Sequence, residues 1–252
     1  MSTAERVSHR DASDNFVLAR SVLAYREAMR LIGGDVLEIG TGGGYGVEIL
    51  APAARSLVTV DKRPPAGLEL PSGVEFRRMR VPPLDFPSAT FDCVVSFQVI
   101  EHIRDDFAFL DEVVRVLRPG GRFIVTTPNA LASLTRNPWH VREYTAGQFT
   151  SLMESRFACV EAMGVFGDER VADYYERNRR GVVRLTGFDP LRLRDRLPRW
   201  MLRVPYDIAN RLNRRRLLTA NGDLTRAITP DSYRLGPAGE GAFDLFFTGV
   251  KP

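Results

Sequence analysis

The chain has 252 residues, 44% of them hydrophobic, and a formal charge of +4. That is one domain of ordinary size with enough apolar material for a core. Lys62 and Lys251 are the only lysines, so the mild positive charge is nearly all arginine. It is not read as nucleic-acid binding. The polar segment Met1 to Asn15 has no apolar centre and does not look like a secretory leader. No run approaches the roughly 18 apolar residues of a membrane span. Cys93 and Cys159 fall in predicted strands and form no metal motif. They read as small buried hydrophobes of a reducing, cytoplasmic compartment.

Phe16 to Leu31 has apolar residues at helical spacing and ends at Gly33-Gly34. Asp35–Ile39 reads as a buried strand, Tyr45 to about Ala51 as a helix, and Ser56–Val60 as a second strand. A short strand is predicted at Val74-Glu75-Phe76 and a strong buried one over Phe91–Phe97. Asp105 to Leu117 places Phe107, Leu110, Val113, Val114 and Leu117 on one helical face. Pro119-Gly120-Gly121 turns the chain into a strand over Arg122–Thr127. Cys159–Val165 and Phe243–Val250 complete the series. Strands alternating with helices through short connections predict an α/β fold, a doubly wound Rossmann-like sheet of seven strands. Residues 168–235 break this pattern. They are rich in arginine, including Arg177, Arg179, Arg180, Arg192, Arg194, Arg196, Arg214, Arg215 and Arg216, and carry Pro190, Pro198 and Pro205 among their prolines. We read them as a helical insertion before the last strand, at the substrate end of the sheet, with residues 1–167 and 236–252 forming the main domain. The arginines suit a solvated face, an anionic or sugar acceptor, a homodimer contact or a membrane surface. Trp200, Met201, Leu202, Val204, Tyr206 and Ile208 supply an apolar face expected in a core or a dimer contact.

The most informative stretch is Val36-Leu37-Glu38-Ile39-Gly40-Thr41-Gly42-Gly43-Gly44-Tyr45-Gly46. An apolar strand ends beside a carboxylate and breaks into glycines that let the backbone turn and approach a ligand. Leu57-Val58-Thr59-Val60 ends at Asp61, placed to accept hydrogen bonds from a ribose. The dinucleotide spacing G-x-G-x-x-G fails, since its sixth position is Tyr45 counted from Gly40 and Val47 counted from Gly42. The pattern E-x-G-x-G-x-G, Glu38 to Gly44, resembles motif I of class I S-adenosylmethionine (SAM) dependent methyltransferases. A carboxylate at Glu38 suits a cationic ligand better than a pyrophosphate.

The resemblance continues. The segment from Asp85 to Val95 is similar to the family's L-P-F-x-x-x-x-F-D-x-V segment, and Val116 to Gly121 to its L-x-P-G-G turn. Asn137-Pro138-Trp139-His140-Val141-Arg142-Glu143-Tyr144 resembles a loop of small-molecule and sugar methyltransferases. Coverage runs from about Asp35 to Gly167, plus the last strand. The resemblance implies that Glu38, Gly40, Gly42, Asp61, Lys62, Val81 and Gln98 hold SAM. An aspartate that contacts adenine in many relatives is replaced by Arg80, so either Asp85 substitutes or backbone groups around Val81 take over. No N-P-P-Y-like tetrad of nucleic-acid methyltransferases is present.

Methyl transfer to an alcohol needs a base, usually histidine, or a metal that acidifies the hydroxyl. His9 lies in the polar tail and is expected to be merely exposed. His140 lies at the carboxyl edge of the sheet among Trp139, Arg142, Glu143 and Tyr144, a set suited to a sugar or phenol, and is the preferred base. His102 is the second candidate. Gln98-Val99-Ile100-Glu101-His102 resembles the E-x-x-E-H of ubiquinone-type O-methyltransferases, which implies magnesium at Glu101 and His102. The expected activity is SAM-dependent O-methylation of a small molecule, a sugar or polyhydroxylated metabolite first. A phenol or quinone-type ring is the alternative acceptor, and a non-catalytic SAM-binding partner subunit the alternative role.

Overall fold

The computed structural model describes residues 11–65, 69–186 and 197–252. His9, Pro190, Arg192, Arg194 and Arg196 lie outside the described residues. Among the described residues, eight strands form one sheet: β1 Asp35–Ile39, β2 Ser56–Asp61, β3 Val74–Arg78, β4 Phe91–Phe97, β5 Leu117–Pro128, β6 Ala158–Gly167, β7 Tyr233–Pro237 and β8 Asp244–Val250. Their order is β3-β2-β1-β4-β5-β8-β6-β7. The first five are parallel, and β8 runs antiparallel between β5 and β6. The expected class is therefore right and the strand count is one short. The extra strand is β7, which pairs with β6 from Met163↔Pro237 to Gly167↔Tyr233. It begins inside the stretch read as a mostly helical insertion. Glycine and proline in Tyr233-Arg234-Leu235-Gly236-Pro237 hide its strand character, and both are tolerated because it is an edge strand.

Helices cover both faces. They are α1 Asn15–Met29, α2 Tyr45–Leu50, α3 Asp106–Val116, α4 Ala146–Glu154, α5 Glu169–Thr186, α6 Arg199–Ala220 and α7 Gly222–Ala227. Asp105 caps α3, its side chain accepting from Ala108 N at 2.9 Å. Thr145 and Gln148 make a reciprocal capping box on α4. Central strands are apolar on both sides because both faces are covered. Val94, Val95, Phe123, Ile124 and Val125 have no exposed surface. One apolar cluster, on α3 and α4, contains Leu37, Val94, Phe109, Phe123 and Phe149. The other, on α1, α2 and α5, contains Phe16, Tyr25, Val36, Val95 and Tyr174.

Two expectations change. Cys93 is buried, but Cys159 is exposed, at φ +51° where the β6–β8 register shifts. Trp200, Val204, Ile208 and Leu212 point outward from α6 rather than into a core. Among the described residues, no helix is long and apolar enough to cross a membrane.

Sequence order reverses between β1 and β4, with β2 to one side and β5 to the other. In a doubly wound sheet the carboxyl ends of the strands at this switch leave a crevice for ligands. The site lies there.

Candidate active site

A cavity of about 1180 Å³ opens over the carboxyl ends of β1, β2, β4 and β5. It exceeds the roughly 300–1,000 Å³ of ordinary ligand pockets, so it has room for two molecules. One half is made by the loop after β1. Gly40, Gly42 and Gly44 have φ of +100°, +56° and +85°. A Cβ on Gly40 would stand 2.5 Å from Val99 Cγ2, so a side chain there is excluded by contact as well as by conformation. Asp61 Oδ2 accepts from Gly42 N at 3.0 Å and Oδ1 from Arg63 N at 2.9 Å. The carboxylate thus holds the loop's shape while lining the cavity with Gly40, Gly42 and Lys62.

Glu38 is not on that wall. It is 1% exposed, with Tyr25 Oη donating to Oε1 at 2.7 Å and Thr59 Oγ1 donating to Oε2. Parallel register explains the second bond, since Glu38 stands opposite Thr59. Gly46 explains the first: a Cβ there would lie 2.2 Å from the Tyr25 ring. Burial raises the Glu38 carboxyl above its ordinary range, against the pull of the two hydroxyls. The reading that Glu38 touches a ligand is therefore corrected. It braces the loop from behind through Thr59, whose hydroxyl also meets Thr41 Oγ1 at 2.6 Å. Sequence pattern cannot distinguish these roles, because both need an acid at the strand end.

Val81 lines the cavity with Arg80 and Pro82. Asp85 is exposed and not on the wall, so it is no substitute for the missing aspartate. Gln98 also lines the cavity at φ +55°, a conformation that non-glycine residues adopt rarely and often at functional sites. Its Nε2 donates to Thr126 Oγ1 at 3.3 Å.

The second half carries the histidines. His102 and His140 meet edge to face with ring centres 5.0 Å apart. His102 Nδ1 donates to the Trp139 carbonyl at 3.0 Å. His140 Nδ1 lies 2.6 Å from Glu143 Oε1, and Nε2 lies 2.8 Å from Asn137 Nδ2. Asn137 Oδ1 is already accepting from Trp139 N at 3.0 Å, so its amide nitrogen faces the ring. The arrangement fixes one tautomer: Nδ1–H donates to Glu143, and the Nε2 lone pair accepts from the Asn137 amide. Arg142 and Tyr144, expected beside an acceptor, instead bind Asp106 and anchor the loop, Tyr144 Oη at 2.9 Å. Val141 N donates to the Glu101 carbonyl at 2.6 Å, tying the loop to the turn after β4.

Sequence reading missed several groups. Arg20 on α1 and Asp244 at the start of β8 line the cavity, with Nε 2.7 Å from Oδ2. That N–H is not aimed along the contact, so Arg20 Nε makes no hydrogen bond, and Asp244 Oδ1 is likewise buried without a partner. Burial raises the Asp244 carboxyl, opposed by Arg20, Gln98 and His140. Asn178 on α5 and Asn210 and Asn213 on α6 add amides to the wall, beside Tyr174, Tyr175 and Tyr206. Asn213 Nδ2 donates to Asn178 Oδ1 at 2.6 Å, joining the two helices. The 137–144 loop meets α6 where Trp139 Nε1 donates to Asp207 Oδ1 at 3.0 Å, with the Arg203 guanidinium 4.4 Å above the indole.

Glu101, His102 and His140 bring one carboxylate oxygen and two ring nitrogens within 4.8 Å of one another. The carboxylate, 1% exposed, accepts from Thr127 Oγ1 at 3.2 Å. Magnesium asks for oxygen ligands in near-octahedral array, and this set is two-thirds imidazole, with both His140 nitrogens already facing partners. The residues do not fit magnesium.

Known proteins place the chain in a family. A methyltransferase-domain family model matches residues 37–125. A protein of Mycolicibacterium smegmatis, described as a probable S-adenosylmethionine-dependent methyltransferase, is 36% identical over 191 residues, covering 72% of this chain and 74% of its own. A ubiquinone biosynthesis O-methyltransferase of Xylella fastidiosa is 33% identical over 108 residues, covering only 39% and 44%. Among solved structures, a SAM-dependent methyltransferase of Thermotoga maritima, described as a possible histamine N-methyltransferase, superposes with a TM-score of 0.55 at 14% identity, covering 94% of this chain and 92% of that one. The last likeness speaks for the fold alone. With the glycine cradle, Asp61 and the strained Gln98 on one wall, and a relative this similar over this much of both chains, the protein belongs to the SAM-dependent methyltransferases.

Proposed function

We propose that this methyltransferase alkylates a hydroxyl of a saccharide or similar polyhydroxylated molecule, with His140 as the base. One observation carries the reading: a histidine with a fixed tautomer faces the same cavity as the glycine loop, on a wall where amides, tyrosines and a buried carboxylate stand among apolar groups such as Phe97, Leu202 and Phe243. Paired hydrogen-bonding groups beside flat apolar rings suit a sugar, which offers hydroxyls on its rim and C–H groups on its faces. A phenol offers that wall a single hydroxyl, where a sugar offers several, and each buried polar group that is left without a partner costs about 1–3 kcal/mol.

Gly40, Gly42, Asp61, Lys62, Val81 and Gln98 would hold the cofactor, with Glu38 behind them. When bound, SAM would supply an electrophilic methyl on its sulfonium sulfur, with the neutral thioether as the leaving group. His140 Nε2 takes the acceptor's proton, exchanging Asn137's amide for the substrate hydroxyl. Glu143, accepting from Nδ1–H, stabilises the imidazolium that results, and Ser133 in turn binds Glu143. His102 fixes the Trp139 carbonyl and packs on His140, so it is a positioning residue. α5 and α6 roof the acceptor half, which makes residues 168–235 a substrate cover in this reading. A cytoplasmic location belongs to the same proposal and is supported by two cysteines that form no disulfide.

The test is transfer of labelled methyl from SAM to panels of saccharides and phenols. Label in saccharides supports the reading. Label in phenols alone moves it to the phenol-type alternative, and no transfer to any acceptor leaves a SAM-binding partner subunit.

A further inference from the structure

The outward face of α6 takes no part in the cavity. Trp200, Val204, Ile208 and Leu212 recur every fourth residue and so form one stripe along the helix. They are 69, 68, 56 and 61% exposed, and Met201 beside them is 44% exposed. Leu202, Tyr206, Ala209 and Asn213, on the opposite side, line the cavity. Contiguous apolar surface of this kind marks an interaction site more often than an accident.

The charge on the helix selects the partner. α6 carries Arg199, Arg203, Arg211, Arg214, Arg215 and Arg216 against a single acid, Asp207, which is bound to Trp139. Arg214 pairs with Asp14 at 2.7 Å, and Arg211 and Arg215 share the neighbourhood of Asp11. The helix therefore stays strongly positive. Arg211 and Arg215 stand one heptad after Val204 and Ile208, on the side of the stripe. A second copy of this face would set these arginines against themselves, and like charges repel. A layer of anionic headgroups over hydrocarbon offers the opposite charge and the apolar depth together.

We propose that α6 docks the protein on an anionic lipid surface, with Trp200, Val204 and Ile208 sunk below the headgroups and the arginines at the phosphates. The proposal is independent of which acceptor is methylated.

Sedimentation of the full chain with vesicles tests it. The protein should pellet with an equal mixture of phosphatidylcholine and phosphatidylglycerol, hardly with phosphatidylcholine alone, and less as salt is raised. Val204→Glu and Ile208→Glu should each weaken partitioning by about tenfold or more, and Arg215→Gln by about fivefold. Indole emission should shift to the blue on the mixed vesicles only, and Trp200→Phe should remove that shift. Unchanged melting temperature and SAM affinity show that the variants fold; if one does not, the lipid and salt dependence of the wild type and its emission shift decide. No binding to mixed vesicles, equal binding to both compositions, or glutamate variants that fold and bind like the wild type would overturn the proposal. So would a dimer in light scattering that Val204→Glu dissociates, which would place a second copy on the face.

Discussion

The half of the cavity proposed for the cofactor and the half proposed for the acceptor are built by different means. The first is backbone: glycines at positive φ after β1, a strained Gln98 after β4, and Asp61 pinning one loop from the end of the next strand. The second is side chains gathered from α1, the 137–144 loop, α5, α6 and the start of β8. Its ion pair Arg20–Asp244 joins opposite ends of the chain, and Arg214–Asp14 closes a similar distance. A ligand shared by a whole superfamily can be met by one local backbone shape. A particular acceptor is met by side chains that can be exchanged without disturbing that shape.

The comparison predicts that the halves fail separately. The largest effect is expected in the acceptor half. His140→Ala should lower kcat by about 10²–10⁴, the usual value of a general base, with SAM affinity unchanged. Joint loss of turnover and SAM binding would show that the halves are one unit. Arg20→Met leaves Asp244 buried without its cation, which should cost about 3 kcal/mol of stability by denaturant titration, again with SAM affinity retained in the folded protein. In the cofactor half, Asp61→Ala removes charge-assisted ribose contacts and the Gly42 anchor. SAM binding should weaken by about 1.5–3 kcal/mol by calorimetry, while acceptor KM holds. An unchanged SAM affinity would remove Asp61 from the site.

The smallest effect belongs to Glu38, behind the cofactor half. Burial raises its carboxyl in the fold above the ordinary 4.5. Its linked contribution to stability is therefore full below about pH 4.5 and is lost as pH rises through the folded value. Glu38→Gln lacks this titration, so the stability of the wild type relative to the variant should decline from acid toward neutral pH. Parallel profiles would mean that the buried carboxylate does not titrate as its surroundings imply.

What could be read from the sequence follows the same division. Glycine at φ > 0 leaves a residue signature, so the loop was legible from Gly40 to Gly46, as was the parallel core from its apolar runs. Glu38 was found but misplaced, because its partner Tyr25 reaches it only when α1 crosses Gly46. Asn137, His140 and Glu143 at three-residue spacing were visible as a motif, but the tautomer they impose needed coordinates. Arg20, Asp244, Asn178 and Asn213 carried no signal, since each is an ordinary polar residue until the fold brings it to the wall. β7 was hidden by glycine and proline on an edge strand. The outward turn of Trp200 and Val204 could not be told from an inward one, because α6 has apolar residues on both sides.

The central claim is that a histidine base, rather than a metal, prepares the acceptor. Methyl transfer by the full chain, measured before and after stripping with EDTA, with metal content determined on the same samples, tests it most directly. The account predicts the same turnover in both and no stoichiometric metal. Turnover that disappears on chelation and returns with a divalent cation would contradict it and give Glu101, His102 and His140 to the metal.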